Sequence, residues 1–204
     1  MSYQLSAVVA DAELLREQTA GLDHAVLGEL RQDFALLPVT PQLVIELTGS
    51  LPDFATDDRS AARPFGLVLS TALVEVLTRW SQSGPLAYLE AEFGGGVGYQ
   101  SAAVWLGGVL SWGPRFDDEL DASREQWPIN CALSRLGVEP GTWIDRFAEL
   151  GLHLERNTDG WLAHGRRRLS ADYWDELVEQ WENQQFGHQQ QPERSRPVGD
   201  WGIP

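Results

Sequence analysis

The chain has 204 residues, 43% of them hydrophobic, and sets 15 basic against 30 acidic side chains for a formal net charge of −15. Every basic residue is arginine, which excludes Schiff-base chemistry, a P-loop lysine and a kinase-type nucleotide lysine, since each needs a primary amine at a defined place. The single cysteine, Cys131, excludes a disulfide framework and any zinc ribbon or finger, which need at least two.

In chain order, residues 3–10 read as a strand, and Asp11 offers an N-cap to a short helix carrying Leu14 and Leu15 that stops near Gly21. Residues 24–30 and 34–39 are apolar runs separated by the polar Arg31-Gln32-Asp33, the pattern of a hairpin or of adjacent strands. Thr40-Pro41 starts a helix with Leu43, Val44 and Leu47 inward, and Gly49 ends it. Residues 51–63 are turn-forming and charged and are expected to form an exposed loop. From Pro64, the residues Phe65, Leu69, Leu73, Val76 and Trp80 belong to one apolar stripe at intervals of three and four, which predicts a long central helix stopped by Ser83-Gly84-Pro85.

A three-stranded meander follows. Residues 86–93 alternate, 94–98 are almost all glycine, and the short apolar runs 101–105 and 109–112 are split by Gly107-Gly108. Residues 115–125 are acidic and read as a solvated loop. Pro128 opens a helix with Ile129, Leu133 and Leu136 inward and Gly137 as terminator, and a further helix is expected from Thr142 to Gly151. Asp159-Gly160 then suggests a hairpin turn, followed by a helix from a Ser170 cap with Tyr173, Trp174, Leu177, Val178 and Trp181 as its stripe. The expected fold is α+β, a mainly antiparallel sheet covered by the central helix and by the C-terminal helices, with residues 1–186 as one domain and 187–204 as a disordered tail.

Three groups of residues could carry chemistry. Strand alternation sets Tyr88, Glu90 and Glu92 on one face, so two carboxylates stand about 7 Å apart beside the glycine run, near the range used by acid/base pairs. The competing and favoured reading is an outer polar strand face ending in a glycine turn. The glycine run is no dinucleotide fingerprint, because a strand follows it where that motif must open a helix, and no cofactor is expected. In the predicted late hairpin Glu155 faces His164, with His153 two positions away, a set that could ligate a divalent metal; a solvated face with Arg166 partnering the carboxylate is favoured. Cys131 reads as a buried structural thiol, and most tryptophans, Trp80 and Trp143 among them, as packing residues. The third group is the acidic segment itself, with Asp117, Asp118, Glu119 and Asp121 as candidate partner-binding residues.

Four stretches carry a resemblance: MSYQLSAVVADAELL, FALLPVTPQL, GPLAYLEAEFGGGVGYQSAAVW and WPINCALSRLGV. Together they resemble an uncharacterised family of small cytosolic proteins from high-GC actinobacteria, over roughly residues 1–165. The resemblance implies a bacterial cytosolic setting and carries over no catalytic residue. A start without a basic, then apolar, leader pattern and the lack of any long apolar run agree with a cytoplasmic protein that spans no membrane. A net charge of −15 repels phosphate backbones, so nucleic acid is not an expected partner. The function expected is that of a non-enzymatic acidic module that binds a basic protein, with an immunity-type inhibitor of a basic toxin as its most concrete version. The alternative is a hydrolase using Glu90 and Glu92.

Overall fold

Alternation of apolar residues at both odd and even positions of residues 5–10 and 86–91 means that these strands must be covered on two sides. In the computed structural model, which describes residues 2–50, 69–95 and 97–166, they are β1 (Tyr3–Asp11) and β4 (Leu86–Gly94), the middle pair of a six-stranded sheet. Their antiparallel register runs from Tyr3 opposite Phe93 to Ala10 opposite Leu86. The sheet is completed by β2 (Gly28–Glu29), β3 (Phe34–Pro38), β5 (Val97–Leu106) and β6 (Val109–Asp117), in the order β2-β3-β1-β4-β5-β6, with every neighbouring pair antiparallel. The fold is thus α+β. The chain's contacts group residues up to Arg166 as one unit, and the expected 186/187 boundary, the helix after Ser170 and the tail lie outside the described residues.

Helices cover each face. On one side α1 (Ala12–Thr19), α2 (Pro41–Thr48) and α3 (Thr71–Trp80) enclose Val8, Ala10, Leu37, Leu86, Tyr88 and Trp105. On the other, α4 (Pro128–Leu136), α5 (Arg146–Leu150) and a helical stretch over residues 158–166 enclose Leu5, Ala7, Val9, Leu89 and Val104. Caps start these helices as the sequence anticipates: Asp11 Oδ1 accepts from the N–H groups of Glu13 and Leu14 at 2.9 and 3.2 Å, and Thr40 Oγ1 from that of Leu43 at 3.2 Å. The expected helix start at Pro64 lies outside the described residues; the described helix begins after Ser70, whose hydroxyl caps Leu73, and buries Leu73, Val76, Leu77 and Trp80. Among the described residues no helix is long and apolar enough to cross a membrane.

Several expectations are corrected. The face carrying Tyr88 and Glu90 is not an outer polar face, because the α1–α3 layer covers it, while the α4–α5 layer covers the other face, so β4 is buried on both sides as far as Ala91. The acidic loop starts later than expected, since residues 115–117 still belong to β6. The helix expected from Thr142 starts instead at Arg146, with Asp145 as its cap, and leaves Trp143 and Ile144 exposed. Cys131 is half-buried, its Sγ near the carbonyls of Glu125 and Gln126.

The hairpin expected at Asp159-Gly160 is a helix. Asn157 acts as its N-cap, with Oδ1 accepting from the N–H of Gly160 at 2.6 Å, and its carbonyl accepts from Trp161. An Asn cap with Trp161 turned into the core outweighs the turn preference of Asp-Gly. The residues before it run along the free end of β1, where Gln4 N–H donates to the Arg156 carbonyl and Ser6 N–H to Thr158 Oγ1. Trp161 then lies so close to β2 that a Cβ on Gly28 would stand 2.7 Å from its ring.

Two substitutions test this packing. Leu73→Ala empties a fully buried site and should lower the unfolding free energy by about 2–5 kcal/mol, and Gly28→Ala should cost about 1–3 kcal/mol by overpacking Trp161. Urea denaturation followed by circular dichroism checks both, and an unchanged midpoint for either would contradict the corresponding layer.

Candidate binding surface

The structure separates the two central glutamates. Glu90 is only 2% exposed, and its Oε1 accepts from the Tyr88 hydroxyl at 2.6 Å, whereas Glu92, two residues on, is exposed. Burial pushes the Tyr88 phenol well up, and the neighbouring Glu90 charge pushes the same way. Tyr99, opposite Glu92 in the register, is pushed up to about 12, first by burial and then by the charges of Glu90 and Glu92. Gly94 and Gly98 of the glycine run beside them lie at the facing ends of β4 and β5. A side chain on Gly98 would collide with Phe93 and the Glu92 carbonyl, so glycine here serves a close approach between strands.

The late cluster comes together in part. His164 Nδ1 lies 3.5 Å from Glu155 Oε1, but across the start of a helix instead of across a hairpin. His153 lies against Trp143, with ring centroids 5.0 Å apart and the planes tilted by 40°, and among the described residues no three His, Cys, Asp or Glu side chains converge as a metal site. Arg31 lies over the same indole, so exposed Trp143 serves a surface cluster and not a core stripe.

The acidic segment divides by role. Asp117 ends β6 and is half-buried, its Oδ1 accepting from the N–H groups of Glu119 and Leu120 at 3.1 and 3.0 Å, which turns the chain. Asp118, Glu119 and Asp121 are exposed. Downstream the segment is tied to the helices beneath: Asn130 Nδ2 donates to the Arg124 carbonyl at 2.8 Å, Arg124 lies 3.5 Å from the buried carboxylate of Asp145, and Arg146 pairs with Glu125. An acidic loop that composition alone presents as solvated is held at both ends.

What the sequence reading missed is the strand leading into it. β6 is an edge strand, exposed or half-exposed along its whole length, and Leu106, Val109, Leu110 and Phe116 stand 52%, 60%, 45% and 43% exposed. Phe116 stacks on Tyr99 with centroids 5.4 Å apart, and Leu110 shares that side of the sheet through its register with Trp105. Gly113 and Pro114 interrupt the strand where its register with β5 shifts. Proline on an edge strand limits continuous pairing with another strand, so the side chains more than the backbone are on offer. The signal was present as the apolar run 109–112, but nothing in the sequence says that no element covers it. Comparison with protein-family models, with curated proteins and with solved structures found no match.

The buried phenols set the alkaline behaviour. Tyr3, Tyr88 and Tyr99 all have raised values in the fold, so above about pH 10 the unfolded chain loses phenol protons that the folded chain keeps, and stability falls as pH rises. Tyr88→Phe should weaken that alkaline loss. At pH 7 the same change should cost about 1–3 kcal/mol, because the Glu90 carboxyl loses its hydroxyl partner in a buried place. Denaturant midpoints of both proteins between pH 7 and pH 11 check the two effects together.

Proposed function

We propose that the chain is a non-enzymatic, acidic protein-binding module whose partner is a basic protein, an immunity-type inhibitor of a basic toxin being its most concrete form. The observation that carries the reading is the continuity of β6 with the acidic segment: exposed Leu110 and Phe116 lie on the strand that runs into Asp118, Glu119 and Asp121. Exposed apolar side chains bordered by charge are a common composition of protein interfaces, in which the charges steer encounter and the apolar groups hold the complex. A net charge of −15 gives that steering a sign. The hydrolase alternative finds less support, since Glu90 is engaged by Tyr88 inside the sheet while Glu92 faces solvent, and a working pair needs both carboxyls on one accessible space.

The test is kinetic. A partner recovered from the native cell at low salt should be basic, and its association rate should fall by about tenfold between ~0.01 M and ~0.15 M salt as the screening length shrinks. Neutralising Asp118, Glu119 and Asp121 together should lower the association rate and leave dissociation nearly unchanged, while Phe116→Ala should speed dissociation. An acidic partner, or association indifferent to salt, would remove the proposal.

A further inference from the structure

On the opposite side of the sheet from Phe116, the end of the acidic segment borders a cavity of about 150 Å³. Its walls are largely aromatic, from Tyr3 on β1, Phe93 on β4, Trp127 before α4 and Phe147 on α5. A cavity of this size holds roughly one six-membered ring. Aromatic walls also favour a ring as the occupant, through edge and offset contacts.

The polar groups of the same cavity are Gln100, Asn130, Asp145 and Arg124. Asn130 is committed, its Nδ2 donating to the Arg124 carbonyl and its Oδ1 accepting from the N–H of Phe147 at 2.8 Å. Gln100 is only half committed. Its Oε1 accepts from the N–H of Ile129 at 3.1 Å, but its Nε2 donates to no group among the described residues, although the residue is just 4% exposed. Asp145 is buried as well; its Oδ1 caps Ala148, and its Oδ2 has only the half-exposed Arg124, at 3.5 Å, beyond hydrogen-bond reach of a well-formed pair. The cavity therefore presents an amide donor without a partner among the described residues and a carboxylate oxygen held only by a long ion pair, both on residues that are themselves buried.

We propose that this cavity is a binding site for a phenol-like ring, the hydroxyl of which accepts from Gln100 Nε2 and donates to Asp145 Oδ2. A hydroxyl is the smallest group that both accepts and donates. A ring carrying a carboxylate would meet Asp145 and the acidic segment beside it, and a plain hydrocarbon ring would leave both polar groups unmet. The phenol has two sources, a free small molecule or the tyrosine side chain of a partner protein. This site does not depend on the β6 surface and stands or falls separately from it.

The test titrates phenol, benzene and benzoate into the full chain labelled with ¹⁵N, following the Gln100 side-chain amide and the Trp127 indole. Phenol should shift both signals saturably and bind about tenfold more tightly than benzene, as expected for added hydrogen bonds in a buried place, with benzoate weakest. Gln100→Glu keeps the acceptor for Ile129 and removes the donor, and Asp145→Asn keeps the cap and removes the acceptor. Each should erase the preference for phenol over benzene; where a variant fails to fold, the wild-type shift at the Gln100 amide is the deciding readout. N-acetyltyrosinamide that displaces phenol assigns the source to a polypeptide, and N-acetyltyrosinamide that fails to enter assigns it to a free phenol. Equal binding of benzene and phenol, saturable shifts confined to other residues, or no shift at all would overturn the proposal.

Discussion

The pairing of β1 with β4 is the constraint on which the rest of the molecule depends. Over residues 5–10 and 86–91 both strands carry apolar residues on both faces, so neither face of that stretch can meet water, and the chain must supply a helical layer to each. That requirement decides where α1, α2 and α3 go, and where α4, α5 and the 158–166 helix go. It also decides which polar groups are costly. Glu90, in the middle of this pair, is tolerated because Tyr88 donates to it inside the same strand. The indole N–H groups of Trp105 and Trp161 are buried without an acceptor among the described residues, a cost of about 1–3 kcal/mol each that the burial of two large rings offsets.

Coverage fades toward β6. Trp112 still packs on the α4 side with Arg135 over its ring, at 4.4 Å from the centroid, but on the other side Leu110 beside Trp105 and Phe116 against Tyr99 remain exposed. The other edge of the sheet is different in kind. β2 is two residues long, and Trp161 and Gly165 press against its neighbourhood so closely that a Cβ on Gly165 would stand 2.6 Å from Val26. One edge is thus short and covered, while the other is long, apolar and broken by Pro114. An edge of the second kind is the place where a sheet protein has surface to spend on a partner.

Much of this was legible in the sequence wherever the signal was local. The Asp11 cap, the Thr40-Pro41 start, the stripe of Leu73, Val76, Leu77 and Trp80, and the meander with its Gly107-Gly108 turn are all set by residues within a few positions of one another. The failures were of two kinds. At Asp159-Gly160 two local rules competed, and the Asn157 cap with an inward Trp161 prevailed. At Glu90 the alternation was read correctly but the face was assigned to solvent, because burial on both sides is a property of what other segments lay over the strand. The cavity was illegible for the same reason: Tyr3, Gln100, Asn130 and Asp145 come from four distant segments and share no spacing.

Residues 117–127 bring these threads together. Asp117 turns the chain off the edge strand, Asp118, Glu119 and Asp121 face water, and Arg124 and Trp127 then reach the cavity, with the guanidinium 5.3 Å from the indole centroid. Exposed carboxylates of this sort gain little from any single contact, because water screens them well; their effect is summed and long-range. Holding energy has to come from surface that loses water on contact, and the described surface offers it on either side of the acids: the rings and branched side chains of β6 on one, and the aromatic cavity on the other. The acidic segment is anchored at both ends by partly buried hydrogen bonds, which hold the charges between the two apolar surfaces. A field that orients a partner is useful only if it points at the place of contact, and in the proposed reading the turn at Asp117 sets the carboxylates beside that place.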